Sequence, residues 1–332
     1  MTDRRFDVIA IGNAIVDVIA DASDAFIAAQ SMPKGAMRLI DEAEAQRLYD
    51  AMGPAREESG GSAANTVAGL ASLGLKTAFI GQLGNDQLGE IFTHDIRSLG
   101  VAFDTPPRDG IGATARCLIL VTPDAQRTMN TFLGAAQTLN SDAVDEALIA
   151  DSKILYLEGY LWDPEAPRLA MRSAIAAARS AGTKVAFTLS DSFVVDRHRD
   201  DLNALFDAGS IDILFANEAE ALALTGAGDF DSAIAAIAAR VPTAVVTRGE
   251  HGAVAARGDE RAAVAAEPIE RLVDTTGAGD LFAAGFLSGQ ALGHGLEESL
   301  RLGAIAAAEA IQHYGARPET NLKALASAIL GE

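Results

Sequence analysis

The sequence predicts an α/β protein in which a central, mostly parallel sheet is flanked by helices and covered by a small β lid. Three observations carry that reading. Short apolar runs recur along the chain as candidate strands: "DVIAIG" (7–12), "KTAFIG" (76–81), "RCLILVT" (116–122), "ILYLEG" (154–159), "KVAFTLS" (184–190), "IDILFAN" (211–217) and "TAVVTRG" (243–249). From residue 154 onward each run is followed by a helical stretch such as "PRLAMRSAIAAARSAG" or "NEAEALALTG", an alternation that argues parallel pairing with helices on the faces. Between about residues 14 and 40, and again over 102–133, the rhythm fails. "SMPKGAMRLID" and "VAFDTPPRDGIGATARC" read there as shorter strands and turns, which form the lid. No linker or low-complexity segment divides the chain, so residues 1–332 are expected to form one domain.

Composition narrows the function classes. The chain is 49% hydrophobic and only 5% aromatic, with 31 glycines, which suits helices packed tightly on a sheet. A formal net charge of −20 opposes nucleic acid and anionic membranes over long range. It leaves room for a small anionic ligand, because a local nest of N–H groups outweighs a distant, salt-screened field. No apolar run reaches membrane-spanning length. The opening "MTDRRFDVIAIGNAIVDVIA" is too broken by Asp7, Asn13 and Asp17 for a secretory segment, so a cytoplasmic protein is expected. A single cysteine, Cys117, excludes an intrachain disulfide or thiolate cluster, and the five histidines show no ligand spacing. Within "ARCLILVT", Cys117 reads as a small buried hydrophobe.

The pentapeptide TGAGD occurs twice, at 225–229 and 276–280. The first copy lies between two amphipathic helical stretches, where Gly226 or Gly228 ends one helix and Asp229 or Asp231 caps the next. The second copy opens "LFAAGFLSGQAL", apolar on nearly all sides, with Gly285 and Gly289 permitting close approach, as in a helix buried at the middle of the molecule. Gly277, Ala278 and Gly279 then free several N–H groups to face one point at the helix N-terminus, and Asp280 sits beside them. Such a nest suits a phosphate, and the carboxylate suits the proton of an attacking hydroxyl.

"DTTGAGDLFAAGFL" resembles the C-terminal signature of the ribokinase-like (PfkB) family of carbohydrate and nucleoside kinases. "SGGSAANTVAGLASLGLKTAFIGQLGNDQLGEIF" (59–92) is similar to the family's N-terminal diglycine signature. The resemblance extends over essentially the whole chain and implies a ribokinase-like fold. It implies Asp280 as catalytic base, with Gly277, Ala278 and Gly279 as the anion hole. Asn13, Asp17, Gly60, Gly61 and Asn65 become the residues that hold the acceptor, a carboxylate and amides being suited to vicinal hydroxyls. Asn217 and Glu220 match the family's NxxE motif, implying Mg²⁺ held by Glu220 through water together with the nucleotide phosphates; an ordinary N-cap accounts for them equally well. "VVTRGEHGA" matches the TRGxxG nucleotide stretch, which places Thr247, Arg248, Gly249 and Gly252 near ATP. Ala308, Ile311 and Gly315 fall where family members wall the adenine. A monovalent cation, commonly K⁺ in the family, belongs near Asp274 and Thr276.

Two absences agree with the resemblance: no GxxxxGK[ST] P-loop is present, and "IGNAIVD" after the first run lacks GxGxxG. The stretches "GNAIVD", "KGAMRLID", "TPDAQRTMNTFLGA" and "HYGARP" are most similar to the family's bacterial members that phosphorylate adenosine. Met37, Leu39 and Phe132 then offer an apolar slot for a purine, and Arg127 brings positive charge from the lid to the transferring group; packing between the lid strands accounts for these residues equally well. The expected reaction is ATP-dependent phosphorylation of the adenosine 5′-hydroxyl, with a free sugar such as ribose or fructose as the alternative acceptor. Lid strands pair between subunits in some relatives, so either a monomer or a homodimer is compatible with the sequence.

Overall fold

The computed structural model describes residues 4–124 and 126–330. In chain order the strands are β1 (Phe6–Ile11), β2 (Ile15–Asp21), β3 (Met37–Leu39), β4 (Ala55–Gly60), β5 (Thr77–Ile80), β6 (Ala102–Phe103) and β7 (Ala115–Val121). They continue with β8 (Arg127–Phe132), β9 (Ser152–Glu158), β10 (Lys184–Thr188), β11 (Ile213–Asn217), β12 (Thr243–Thr247), β13 (Ala253–Arg257) and β14 (Glu260–Val264). Nine of them form one sheet in the order β14-β13-β12-β11-β10-β9-β1-β5-β6, and five form a second in the order β3-β8-β7-β2-β4.

The large sheet is parallel from β6 to β12 and antiparallel at β13 and β14. Its inner strands are buried on both faces, which is why they read as continuous apolar runs in the sequence. β2 instead alternates between buried and half-buried residues, because one face of the small sheet is covered by protein and the other is not. The helix Ala278–Leu292 is apolar all round and lies in the middle, between the helices Ser62–Ser72 and Leu296–Ala310. A Cβ at Gly285 would come within 2.2 Å of the Leu302 carbonyl oxygen, so glycine sets that close approach.

The lid differs from its predicted extent. β4, Ala55–Gly60, pairs antiparallel with β2 and belongs to the small sheet, while residues 102–103 pair with β5 at the edge of the large one. "AREESG" escaped the apolar pattern because β4 is an edge strand whose first two residues are exposed. The first TGAGD copy is a connection between helices. Gly226, in the left-handed conformation, closes the helix Glu218–Thr225, and the Asp229 carboxylate accepts from the Ser232 amide to cap Phe230–Ala238. Among the described residues no single helix is long and apolar enough to cross a membrane.

Candidate active site

A cavity of about 560 Å³ lies between the carboxyl edge of the large sheet and the inner face of the lid. Its floor follows from topology, since parallel strands deliver their following loops to one edge. Asn13 follows β1, Glu158 ends β9, Ser190 and Asp191 follow β10, Asn217 ends β11 and Thr247 ends β12; all line the cavity. The roof follows from the pleat: Ile15, Asp17, Met37, Leu39, Cys117, Ile119, Met129 and Thr131 all line it. They are odd-numbered residues of β2, β3, β7 and β8, and a period of two puts them on one face. Met37 and Leu39 are 43% and 57% exposed, an apolar surface open to the cavity rather than to a core.

Two helix N-termini form the third wall. Gly277 has φ of 76° and precedes the helix Ala278–Leu292, and a Cβ there would meet that of Ala316 at 2.4 Å. This turn leaves the N–H groups of Gly277, Gly279 and Asp280 without an acceptor among the described residues. Gly277, Gly279 and Asp280 all line the cavity, at the positive end of a 15-residue helix. The Asp280 carboxylate stands beside these amides. Its Oδ1 accepts from Ser62 Oγ at 2.6 Å and its Oδ2 from Asn65 Nδ2 at 2.9 Å. Enclosure by protein raises its pKa, while these two donors and the Arg317 guanidinium pull it back. Asn65 Oδ1 is buried without a partner, an acceptor left for a ligand hydroxyl.

Asp17 faces this wall from the lid. Desolvation raises its pKa to about 7, with Glu58 and Asp280 adding to the rise and Arg317 and Arg127 opposing it. Gly60 makes room for it: a Cβ at Gly60 would lie 2.4 Å from Asp17 Oδ2. Gly60 therefore acts by absence and does not itself line the cavity, whereas Gly61 does, with φ of 97°. Glu158, its pKa raised to about 7 by burial, accepts from the amides of Asn13 and Ala63 and from Asn13 Nδ2. It fixes the Asn13 side chain at the cavity floor.

Asn217 and Glu220 form a reciprocal capping box: the Asn217 side chain accepts from the Glu220 amide and both Glu220 oxygens accept from Asn217. Both also line the cavity. Burial raises the Glu220 pKa to about 7, and the nearby Asp191 carboxylate adds to it. Two neighbouring carboxyls on a cavity wall, short of positive charge, fit a hydrated divalent cation. Ser190, between strand and helix, has φ of 67° and a buried hydroxyl with no partner, the kind of backbone strain that collects at ligand sites.

Several of the expected residues do not line this cavity or are engaged elsewhere. Phe132 is even-numbered on β8, so its ring turns away from the cavity and packs on the core, while Thr131 and Leu133 line the cavity. Arg127 does not reach the cavity; it is buried and paired with Asp274. Asp274 has no capacity left for K⁺, because its Oδ1 accepts from the Thr276 amide and hydroxyl and its Oδ2 from Arg127 and the Gly315 amide. The Ala278 amide donates to the Thr275 carbonyl and is not free for an anion. Of the TRGxxG stretch only Thr247 borders the cavity; Arg248 is drawn to Glu218 and stacks over Phe230, and Gly249 and Gly252 bound a short turn that does not line it. Ala308, Ile311 and Gly315 do not line it either. The Ile311 carbonyl and the Gly315 amide brace residues 273 and 274 from behind.

Sequence reasoning missed Ser62, Glu158, Asp191 and Arg317. Glu158 was visible as a charge ending an apolar run, and the roof residues as same-parity positions on "MRL", "ARCLILV" and "RTMNTF". Arg317, which donates to the carbonyls of Ser59 and Ala64, left no local signal.

Comparison with known proteins is consistent with this architecture. Adenosine kinase from Sinorhizobium meliloti superposes with a TM-score of 0.90 and is 49% identical, covering 99% of this chain and all of its own. A probable sugar kinase from Rhizobium etli gives a TM-score of 0.91 at 48% identity, with 99% of each chain covered. Adenosine kinase of Saccharomyces cerevisiae is 28% identical over 92% of this chain and 95% of that protein. The pfkB family of carbohydrate kinases matches residues 37–322, a span holding the diglycine turn, the lid strands from β3 onward and the Gly277–Asp280 nest. This chain belongs to the pfkB carbohydrate kinase family, a phosphotransferase acting on a hydroxyl group.

Proposed function

We propose that the protein transfers the γ-phosphoryl group of ATP to the 5′-hydroxyl of adenosine, giving AMP and ADP. The observation that carries this reading is the two-sided cavity. Its roof is an apolar, partly exposed sheet face formed by Met37, Leu39, Ile119 and Met129, and its floor and end wall are polar. A flat purine matches the roof, and a ribose matches Asn13, Asp17 and Asn65. A free hexose has no apolar face of that size to cover Met37 and Leu39.

In this reading Asp280 accepts the proton of the 5′-hydroxyl, and the Gly277 and Gly279 amides stabilise charge on the oxygens of the moving phosphoryl group. Asp17 and Asn13 hold the ribose hydroxyls so that the attacking oxygen lies in line. Asn217, Glu220 and Asp191 would hold hydrated Mg²⁺, which would supply counter-charge to the nucleotide phosphates. Thr247 borders the same phosphate path.

The test is a panel of adenosine, inosine, guanosine, ribose, fructose and 2-keto-3-deoxygluconate with MgATP, reading ADP released. Adenosine is expected to give the highest kcat/KM. Ribose or fructose turning over far better than any nucleoside would replace adenosine by a free sugar as acceptor. The kinase assignment itself is checked by Asp280→Asn, which loses about 10²–10⁴-fold in kcat if the carboxylate is the base.

A further inference from the structure

We propose that Ser62 is a positioning residue, its hydroxyl holding the Asp280 carboxylate in the orientation that takes the acceptor's proton. This rests on the reading of Asp280 as the base. Ser62 is the first residue of the helix Ser62–Ser72, directly after Gly61. Its Oγ donates to Asp280 Oδ1 at 2.6 Å, a contact between residues 218 positions apart. That length is typical of a hydroxyl donating to an ionised oxygen.

The contact is held from both sides. The helices that begin at Ser62 and Ala278 pack directly on one another, with Gly69 against Leu281 and Ala284. Their N-termini are therefore fixed in register, and the Ser62 hydroxyl cannot drift without moving a core helix. The two donors to Asp280 are not equivalent. Asn65 presents a buried, unpartnered Oδ1 as well as the Nδ2 that reaches Asp280, so it meets the ligand as well as the base. Ser62 Oγ donates only to Asp280 among the described residues. Each carboxylate oxygen has two acceptor sites, so an oxygen holding one donor still has room for the substrate proton.

The groups around the carboxylate explain why a neutral donor is useful there. Arg317 pulls the Asp280 pKa down, while Asp17 from the lid and Glu158 from the end of β9 are acids coupled to it; Tyr156 in β9 and Tyr160 in the following turn also feel its charge. Burial pushes Asp280 up, and the Ser62 hydroxyl is foremost among the influences that oppose it. Removing that hydroxyl moves the pKa further up, so the acid limb of the rate profile moves to higher pH.

The experiment compares wild type, Ser62→Ala, Ser62→Thr and Asp280→Asn in the full chain with MgATP and adenosine, measuring kcat, KM and the pH dependence of kcat/KM. Circular dichroism and melting confirm the fold. For Ser62→Ala we expect about a tenfold loss in kcat, adenosine KM within about twofold, and the acid limb displaced to higher pH. Ser62→Thr, which keeps the hydroxyl, recovers most of the rate. Wild-type kcat and an unmoved acid limb in Ser62→Ala, or a loss carried wholly by KM, would overturn the proposal while leaving Asp280 as base. Full turnover by Asp280→Asn would remove the base itself, and the Ser62 role with it.

Discussion

Arg127 and Asp274 join the lid to the glycine turn before Asp280, and their separate removal should have unequal consequences. Arg127 begins β8 of the lid; Asp274 lies three residues before Gly277, and their side chains are only 7% and 6% exposed. Arg127→Met leaves the Asp274 carboxylate buried without its cation, but three donors from Thr276 and Gly315 remain. The cost then sits at the lower end for a broken buried pair, about 3 kcal/mol. Asp274→Ala leaves the guanidinium with no hydrogen-bond acceptor among the described residues, so its cost sits at the upper end, about 5 kcal/mol. With an unfolding entropy of about 2.1 cal/mol/K per residue, a 332-residue chain loses about 0.7 kcal/mol per degree near its midpoint. The melting midpoint should therefore fall by about 4 °C for Arg127→Met and about 7 °C for Asp274→Ala. The double variant Arg127→Met/Asp274→Ala should lose much less than the sum. Differential scanning calorimetry reads all three. An Arg127→Met protein that melts with the wild type, or a fully additive double variant, would refute the buried pair as a structural tie.

Other consequences can be checked alongside. Because Asp274 is saturated by protein donors, replacing NaCl with KCl at equal ionic strength should leave kcat unchanged; a several-fold activation would mean that Arg127 is displaced in the working enzyme. Gly277→Ala forces a side chain into a left-handed position and against Ala316, so kcat should fall by about 10²-fold or more through loss of the amide nest. Wild-type kcat in that variant would show that the nest is not used. Asp17, Glu158 and Glu220 all have folded pKa values near 7, above their ordinary values. The folded state then binds more protons than the unfolded state between about pH 4 and 7, so their contribution to stability declines as pH rises through that window and levels off above it. Ligand-free protein should melt at lower temperature at pH 8 than at pH 6, and Asp17→Asn should flatten that slope. A slope unchanged by Asp17→Asn would refute the assignment for Asp17.

The sequence alone determined the large sheet, because strands buried on both faces must be continuously apolar, as "DVIAIG" and "TAVVTRG" are. It also determined the glycine turn with Asp280, since only glycine tolerates the left-handed position before a buried helix. The two TGAGD copies were separable for the same reason: an all-apolar helix follows only the second. Tertiary structure alone decided what each long polar side chain touches. Arg127, Arg317 and Ser62 meet partners 147, 258 and 218 residues away, and no local pattern encodes such pairings. Phe132 shows the smallest form of the same limit. A strand's period of two sends neighbouring residues to opposite faces, and which face meets the cavity is fixed only when the lid settles over the large sheet.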